Sequence, residues 1–214
     1  MRVRRVGQYE LTKLLDESDY FQEWEARHTD LGIIRKIRIY LTYGKSEEDA
    51  QRLQKASELE FRLLEGIEHP GILKAKDYLQ HDHGPALVYE HDPEAQRLDH
   101  FLIGKGGNQR LEIMQAVNLL RVIAEAVQYA HGQRLYHRAL SPQSIYVKPL
   151  DDDKFRIKIA NWSTAQRIYE SETRHISALS RLTKLVQEEA GPYMALEAHL
   201  SGYSRESVHG ETVE

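Results

Sequence analysis

The sequence contains no cysteine and no long apolar run. The absence of cysteine excludes disulfide bonds, thiolate catalysis and cysteine-ligated zinc or iron–sulfur sites, and it fits a reducing compartment. A membrane-spanning helix needs roughly 18 or more consecutive apolar residues, and a secretory signal needs an apolar segment after its basic start. Neither pattern is present, so the sequence predicts a cytoplasmic protein that does not enter a membrane.

The sequence also has no large excess of charge of one sign. Its net charge is -4 over 214 residues, so it offers no global positive field for a phosphate backbone, and nucleic-acid binding is not indicated. Hydrophobic residues make up 41% of the chain and charged residues 29%, which favours a folded globular protein over a disordered one.

The pattern of residues 1–90 predicts an antiparallel sheet with one helix. Short segments of alternating or largely apolar residues, typical of strands, flank one amphipathic helical segment. The strands are predicted at Tyr9–Asp16, Phe21–His28, Ile34–Tyr40 and Pro85–His91. Ser46 is the predicted N-cap of the helix, and Gly66 lies near its predicted end.

Residues 91–214 have a different pattern and predict a mainly helical second part. Leu111–His131 carries apolar residues on most faces, which is typical of a helix buried in a core. Two short strands joined by a turn follow, up to Trp162. The motifs His81–His83 and Leu150–Asp153 contain metal-ligating residue types, but neither has a further ligand at suitable spacing, so both are predicted to be turns.

Several of these segments, in this order, resemble the protein kinase domain of the bacterial serine/threonine type. They are "YELTKLLDESDYFQEWEARHTDLGIIRKIRIY", similar to the first three kinase strands, "LEFRLLEGIEHPGIL", similar to the regulatory helix and the turn after it, "PALVYEH", similar to the hinge strand, and "GPYMALEA", similar to the end of an activation segment. The phrases "LLEGIEHPGIL" and "HDPEAQRLDHFL" also resemble the degenerate kinase-like segment of large phage-defence kinases of the phage-growth-limitation or BREX type.

The resemblance implies a two-lobed α+β fold. The antiparallel-sheet N-lobe would occupy residues 1–90, and a truncated helical C-lobe would occupy 91–214 and end just after the activation segment. Few residues follow Glu197, so we expect the helix at Leu111–His131 to expose an apolar face. A longer parent polypeptide, a docked partner or self-association would cover that face.

The residues that carry catalysis in this family are replaced. Phosphoryl transfer rests on positioning and electrostatics, which a lysine, an orienting aspartate and metal-holding oxygen ligands supply. The resemblance implies four degenerate positions: Ala139 for the aspartate of the HRD motif, Ser141 for the lysine after it, Ser144 for the metal-binding asparagine and Asn161 for the aspartate of DFG. A methyl group accepts no proton, and a neutral amide brings no charge to a hard divalent cation.

The positions that hold the nucleotide's phosphates are altered as well. The three glycines of the phosphate-covering loop are replaced by Asp16, Ser18 and Phe21, whose side chains would crowd the phosphates. Arg38 and Glu60 take the places of the lysine and glutamate that kinases pair, and they are the candidate cofactor-binding residues. We expect an Arg38–Glu60 ion pair to survive, with a role that is structural only or that still concerns the cofactor.

Two charged residues take positions that line the adenine pocket in this family. Glu23 and Lys36 lie on neighbouring predicted strands and face the same cleft. We predict that they form a cross-strand pair that occupies the adenine site, because stripping water from such a pair would oppose a nucleotide base. The alternative is a local register shift that turns both charges to solvent.

The region between Thr164 and Gly191 corresponds to the activation segment. It contains several hydroxyl residues with arginines nearby: Ser171, Thr173, Ser177, Ser180 and Thr183. A phosphate there would pair with Arg138, which is kept from the HRD motif. The alternative is an unmodified loop.

The sequence therefore predicts a pseudokinase module, with no catalytic residue, no metal ligand and no expected cofactor. It would regulate or scaffold an adjacent kinase domain of its parent protein, or another protein partner. Two alternatives stay open. An atypical active serine/threonine kinase would use ATP and Mg²⁺ with Asn161 among the metal ligands, and a purely structural interdomain module would bind no ligand.

Overall fold

The computed structural model describes residues 5–104 and 111–167. Residues 5–90 form an upper lobe around one large sheet, and the remaining described residues form a lower lobe of helices and two small sheets. A cleft separates the two lobes, and the chain crosses between them after Glu90.

The upper lobe is built on a six-stranded antiparallel sheet. Its strands are β1 (Arg5–Val6), β2 (Tyr9–Glu17), β3 (Phe21–His28), β4 (Ile34–Tyr40), β5 (Ala75–His81) and β6 (Gly84–Glu90), in the order β1-β2-β3-β4-β6-β5. Alternation along β4 explains its two faces: Ile37 and Ile39 pack in an apolar cluster with Val88, while Lys36 and Arg38 point to the opposite face. The polar residues of β4 therefore face the cleft side of the sheet.

One helix, α1 (Glu47–Leu63), packs on the face of the sheet that carries the polar residues of β4. The predicted N-cap is confirmed, because the Ser46 hydroxyl accepts a hydrogen bond from the backbone N–H of Asp49 at 3.2 Å. The helix ends at Leu63, and Gly66 follows in the turn with a φ of +75°. Leu53 and Ala56 of α1 are buried in one apolar cluster with Leu87 of the sheet.

The lower lobe combines helices with short strands. Its elements are β7 (Gln96–Arg97), α2 (Leu98–Ile103), α3 (Ile113–Gly132), β8 (Leu135–Tyr136), β9 (Ile145–Pro149), β10 (Phe155–Ile159) and β11 (Gln166–Arg167). One sheet has the order β10-β9-β7, and β11 pairs with β8. The core of this lobe includes Leu64, Leu135, Ile159 and Trp162, so the end of α1 is packed into the lower lobe.

The long predicted helix is confirmed with slightly shifted ends. It begins at Ile113 because Glu112 forms a capping box with Gln115. The expected exposed apolar face is also present: Ile113 is 81% exposed and Leu120 is 65% exposed, and Met114 and Val117 lie nearby on the same helix. Within residues 5–104 and 111–167, no helix has the length and apolar character needed to cross a membrane.

Both predicted turns are confirmed. His81 ends β5 and His83 lies in the turn before β6. Asp152 and Asp153 lie between β9 and β10 with φ values of +60° and +55°, a conformation that aspartate tolerates. The α+β architecture and the antiparallel upper sheet match the fold that the kinase resemblance implies.

Candidate functional site: the interlobe cleft

A buried carboxylate, Glu23, lies at the centre of the cleft. Its Oε1 atom accepts hydrogen bonds from Lys36 Nζ at 3.2 Å, from Arg38 Nε at 2.9 Å and from Arg38 Nη2 at 2.6 Å. Glu23 stands directly opposite Arg38 in the β3–β4 register, and Lys36 follows two residues away on the same face. All three residues are at most 5% exposed, so the alternative in which the charges of Glu23 and Lys36 face solvent is wrong.

A tyrosine of the lower lobe completes this arrangement. The Tyr146 hydroxyl, on β9, donates to Glu23 Oε2 at 3.0 Å and accepts from Lys36 Nζ at 2.9 Å. The ammonium group of Lys36 also lies 4.1 Å from the centroid of the Tyr146 ring, a cation–π contact. Two residues of the upper lobe are thus bonded directly to one of the lower lobe.

Sequence reasoning missed Tyr146. One signal was available: along β9 the buried residues Ile145 and Val147 alternate with Tyr146, which must therefore point to the opposite face. That face is the cleft.

Arg38 reaches a second partner on the lower lobe. Its Nη2 atom donates to the side-chain oxygen of Asn161, a residue with a left-handed backbone (φ +62°) just after β10. Arg38 and Glu60 are closest at 4.0 Å, between Nη1 and Oε2, so the expected Arg38–Glu60 pair is the weaker of the two arginine–carboxylate contacts. We call Glu23, Lys36, Arg38, Tyr146 and Asn161 the cleft network.

Glu60 has its own hydrogen-bond partners. The Tyr40 hydroxyl donates to Oε2 at 2.8 Å, and the Tyr89 hydroxyl donates to Oε1 at 2.7 Å. Burial, together with the negative charge of Glu60, raises the pKa of both tyrosines well above the ordinary value, so both remain donors at neutral pH. The helix carboxylate is therefore held mainly by tyrosines rather than by a basic residue.

The cleft network keeps its charges at neutral pH. Burial by itself would raise the pKa of Glu23, but the positive charges of Lys36 and Arg38 and the hydrogen bonds from Arg38 and Tyr146 bring that pKa down from 4.5 to about 2. Burial likewise opposes the charge of Lys36, but Glu23 and Tyr146 together outweigh it, so the pKa of Lys36 is raised. The buried charges therefore stabilise one another.

The degenerate positions of the HRD loop are bonded within the loop. The Ser144 hydroxyl donates to the carbonyl oxygen of Ser141 at 2.8 Å and accepts from the N–H of Ser141 at 3.0 Å. Both serines are buried, and Ala139 offers no polar side-chain atom. The loop therefore closes on itself at the two positions that the kinase resemblance assigns to the metal-binding asparagine and the lysine.

The scaffold around this loop is apolar. The rings of His137 and Trp162 lie 4.6 Å apart, and Trp162 shares its cluster with Leu64 of the turn after α1. His137 Nε2 lies 2.7 Å from the carbonyl oxygen of Ala160. Burial lowers the pKa of His137 to about 4, so the ring is neutral at pH 7 and donates this hydrogen bond. His137 is a packed structural residue.

The positions of the phosphate-covering glycines hold side chains that make their own contacts. Asp16 Oδ2 accepts from Arg97 Nη1 of the lower lobe at 2.7 Å. The Ser18 hydroxyl accepts from the N–H of Phe21 at 3.2 Å and so closes the turn between β2 and β3. The ring of Phe21 lies 4.7 Å from the guanidinium carbon of Arg38.

A cavity of about 650 Å³ opens beside the cleft network. Its walls include Glu23, Lys36 and Tyr146, and its rim includes Glu90 and His91, where the chain crosses between the lobes. Most of the other residues that line the cavity are charged. The hydroxyl residues of the activation segment, Ser171 to Thr183, and Glu197 lie outside the described residues.

The family model for protein tyrosine and serine/threonine kinases matches residues 18–203. A probable kinase, PglW, from Streptomyces coelicolor is 36% identical over 149 residues, which is 68% of this chain and 9% of that protein. The carbon catabolite-derepressing protein kinase of Candida tropicalis is 26% identical over 160 residues, or 74% of this chain and 24% of that protein.

A plant kinase is similar to this chain over a comparable length. CBL-interacting serine/threonine-protein kinase 24 of Arabidopsis thaliana is 26% identical over 144 residues, covering 67% of this chain and 31% of that protein. The chain thus spans less than a third of the length of each of these relatives.

Proposed function

Because the chain belongs to the protein tyrosine and serine/threonine kinase family, we propose that it is a pseudokinase module, which acts by contacting a protein and does not transfer phosphate. Its partner is an adjacent kinase domain of a longer parent protein or a separate protein. A phage-defence setting is part of this proposal, and the resemblance of "LLEGIEHPGIL" and "HDPEAQRLDHFL" to the kinase-like segment of phage-defence kinases supports it. The cytoplasm is the compartment we propose.

One observation carries the proposal: the two walls of the cleft are bonded directly to each other. Lys36 and Glu23 lie 2.9 and 3.0 Å from the Tyr146 hydroxyl. A planar base between two walls needs van der Waals contact on both faces, which requires about 7 Å between the wall atoms. These distances support a cleft filled by the protein's own side chains.

The residues at the metal and phosphate positions also fit ATP and Mg²⁺ poorly. The Asn161 oxygen accepts from a cationic donor, Arg38, and the Ser144 hydroxyl is engaged with Ser141. A divalent cation held by few protein ligands relies on carboxylates, and neither position supplies one. Ala139 provides no group that orients or deprotonates an acceptor hydroxyl, a role that contributes about 10² to 10⁴ in rate.

A second function, ATP-dependent serine/threonine phosphorylation, is favoured by the cavity of about 650 Å³ beside the cleft network. Its volume falls within the range of small-molecule sites, roughly 300–1,000 Å³. A nucleotide displaced toward the rim at Glu90 and His91 would avoid the buried charges.

Thermal unfolding with and without ATP, each with and without Mg²⁺, separates the two functions. Ligand bound to the native state stabilises it by about 2.7 kcal/mol at a concentration 100 times Kd. We expect no shift in midpoint under any condition, and no transfer of radiolabelled phosphate to a generic protein acceptor. A shift that needs both ATP and Mg²⁺, together with phosphate transfer, would contradict the pseudokinase proposal and support the kinase.

A further inference from the structure

We propose that the two lobes are locked together by the chain's own polar side chains in the absence of any ligand. The lock consists of three contacts between the lobes: Asp16 with Arg97, Glu23 with Tyr146, and Arg38 with Asn161. The inference goes beyond the proposed function, because it concerns the ligand-free chain and holds whether or not nucleotide binds.

The upper half of the lock is a row of residues across three strands. Asp16 of β2 stands opposite Glu23 of β3, and Glu23 stands opposite Arg38 of β4. Neighbouring strands lie about 4.8 Å apart, so the row spans roughly 10 Å. Strand register fixes the order of these three side chains.

The lower half is a second row that faces the first. Arg97 of β7 stands opposite Tyr146 of β9. Asn161 follows β10, the strand on the other side of β9. The two rows therefore meet in the same order. β2 contacts β7, β3 contacts β9, and β4 contacts Asn161 after β10.

The chemistry of the two rows is complementary at every step. Arg97 offers a guanidinium to the Asp16 carboxylate at 2.7 Å, and Asp99 holds that guanidinium in place by accepting from Arg97 Nε at 3.0 Å. Tyr146 offers a hydroxyl to Glu23, and Asn161 offers a carbonyl oxygen to Arg38. A shift of one lobe along the rows would break all three contacts together.

The lock assigns one lobe arrangement to the ligand-free chain. In a kinase of this family, bound nucleotide lies between the lobes and contributes contacts to both. Here the protein supplies those contacts. A partner would therefore bind a preformed two-lobed surface, and regulation by this module would not run through nucleotide-driven lobe closure.

The distance between the lobes tests the lock directly, and the lack of native cysteines makes labelling simple. Spin labels are placed at Lys55→Cys on α1 and Gln128→Cys on α3, both exposed. Pulsed electron paramagnetic resonance on the ligand-free full chain is expected to give one narrow distance distribution. In the lock variant, which combines Tyr146→Phe and Arg97→Ala, we expect the distance distribution to broaden.

Matched control substitutions remove the same groups inside one lobe. Tyr78→Phe removes a hydroxyl that accepts from Gln54 within the upper lobe, and Arg121→Ala removes a partner of Glu125 within α3. This control pair should keep the narrow distribution. Should Tyr146→Phe with Arg97→Ala fail to fold by circular dichroism, Asp16→Asn alone, at a partly exposed contact, is expected to broaden the distribution.

Two results would overturn the lock: a broad or double distribution in the ligand-free parent chain, or a distribution in the folded lock variant that equals the parent's. A further sample with ATP and Mg²⁺ keeps the two proposals distinguishable. A narrow ligand-free distance that changes only when both are added would contradict the proposal that the protein's own side chains fill the cleft, and it would leave the ligand-free lock standing.

Discussion

The lower-lobe core and the cleft network reach the same degree of burial by different physics. Trp162 is 1% exposed and Glu23 is 2% exposed. Trp162 is buried among apolar side chains, and the removal of apolar area from water stabilises it. Glu23 is buried among charges, and its desolvation is offset only while Lys36 and Arg38 stay in place.

The difference shows which parts of the kinase architecture this chain keeps. The packing that joins α1, the HRD loop and Trp162 is retained, as the contacts of Leu64 and His137 illustrate. The cleft holds a carboxylate, an ammonium and a guanidinium at positions that the kinase resemblance assigns to the nucleotide site. We therefore expect the scaffold to tolerate small apolar changes and the cleft network to depend on each of its charged members.

The largest expected effect comes from breaking the cleft network at its centre. Glu23→Gln keeps the shape of the side chain but leaves Lys36 and Arg38 buried without their counter-charge, which typically costs about 3–5 kcal/mol. Ile159→Val, an equally buried change in the apolar core, should cost only about 0.5–1.5 kcal/mol. Urea unfolding measures both. Equal costs would contradict the contrast between the two regions.

The free energy of unfolding measured over a range of pH compares the same two regions, and the expected change is slightly smaller. The folded-state pKa of Glu23, about 2, lies below its ordinary value of 4.5, so its stabilising contribution is present above pH 4.5 and is lost as pH falls toward 2. This contribution of Glu23 to the free energy of unfolding is roughly 3 kcal/mol. The pKa of His137 falls from 6.5 to about 4, so its contribution is lost earlier, between pH 6.5 and 4.

The free energy of unfolding should therefore decline in two stages on acidification. His137→Phe, which cannot titrate, is expected to reduce the first stage, and Glu23→Gln is expected to reduce the second. Urea unfolding at pH 7, 5.5, 4 and 3 measures both stages. An unchanged profile in Glu23→Gln would mean that the Glu23 carboxylate is not stabilised by its basic neighbours.

Local pattern was enough to predict the scaffold and part of the cleft. Alternation and the Ser46 cap predicted the strands and α1, and register placed Glu23 near Lys36. The preference of Arg38 for Glu23 over Glu60 was missed, because both carboxylates are plausible partners and only distances in the folded chain decide between them. The choice depends on the rotamer of Arg38, which leaves no periodic signal in the sequence.

The contacts between the lobes were missed for a related reason. Tyr146 and Lys36 are 110 positions apart, and Arg97 and Asp16 are 81 apart. Each pair joins two lobes whose relative placement no strand or helix pattern specifies. Such contacts follow from the fold as a whole.

The central claim is that the chain's own charges fill the nucleotide cleft. The most direct test is a calorimetric titration with adenosine of the double variant that combines Glu23→Val and Lys36→Ala. Arg38 keeps Asn161 and Glu60 as neighbours in this variant, and Glu10→Val with Arg27→Ala, an exposed cross-strand pair, serves as the control. We predict no adenosine binding to the parent chain or the control, and affinity at least about tenfold higher, a gain of roughly 1.4 kcal/mol, in the cleft variant. Adenosine binding to the parent chain, or a folded cleft variant with no gain, would contradict it.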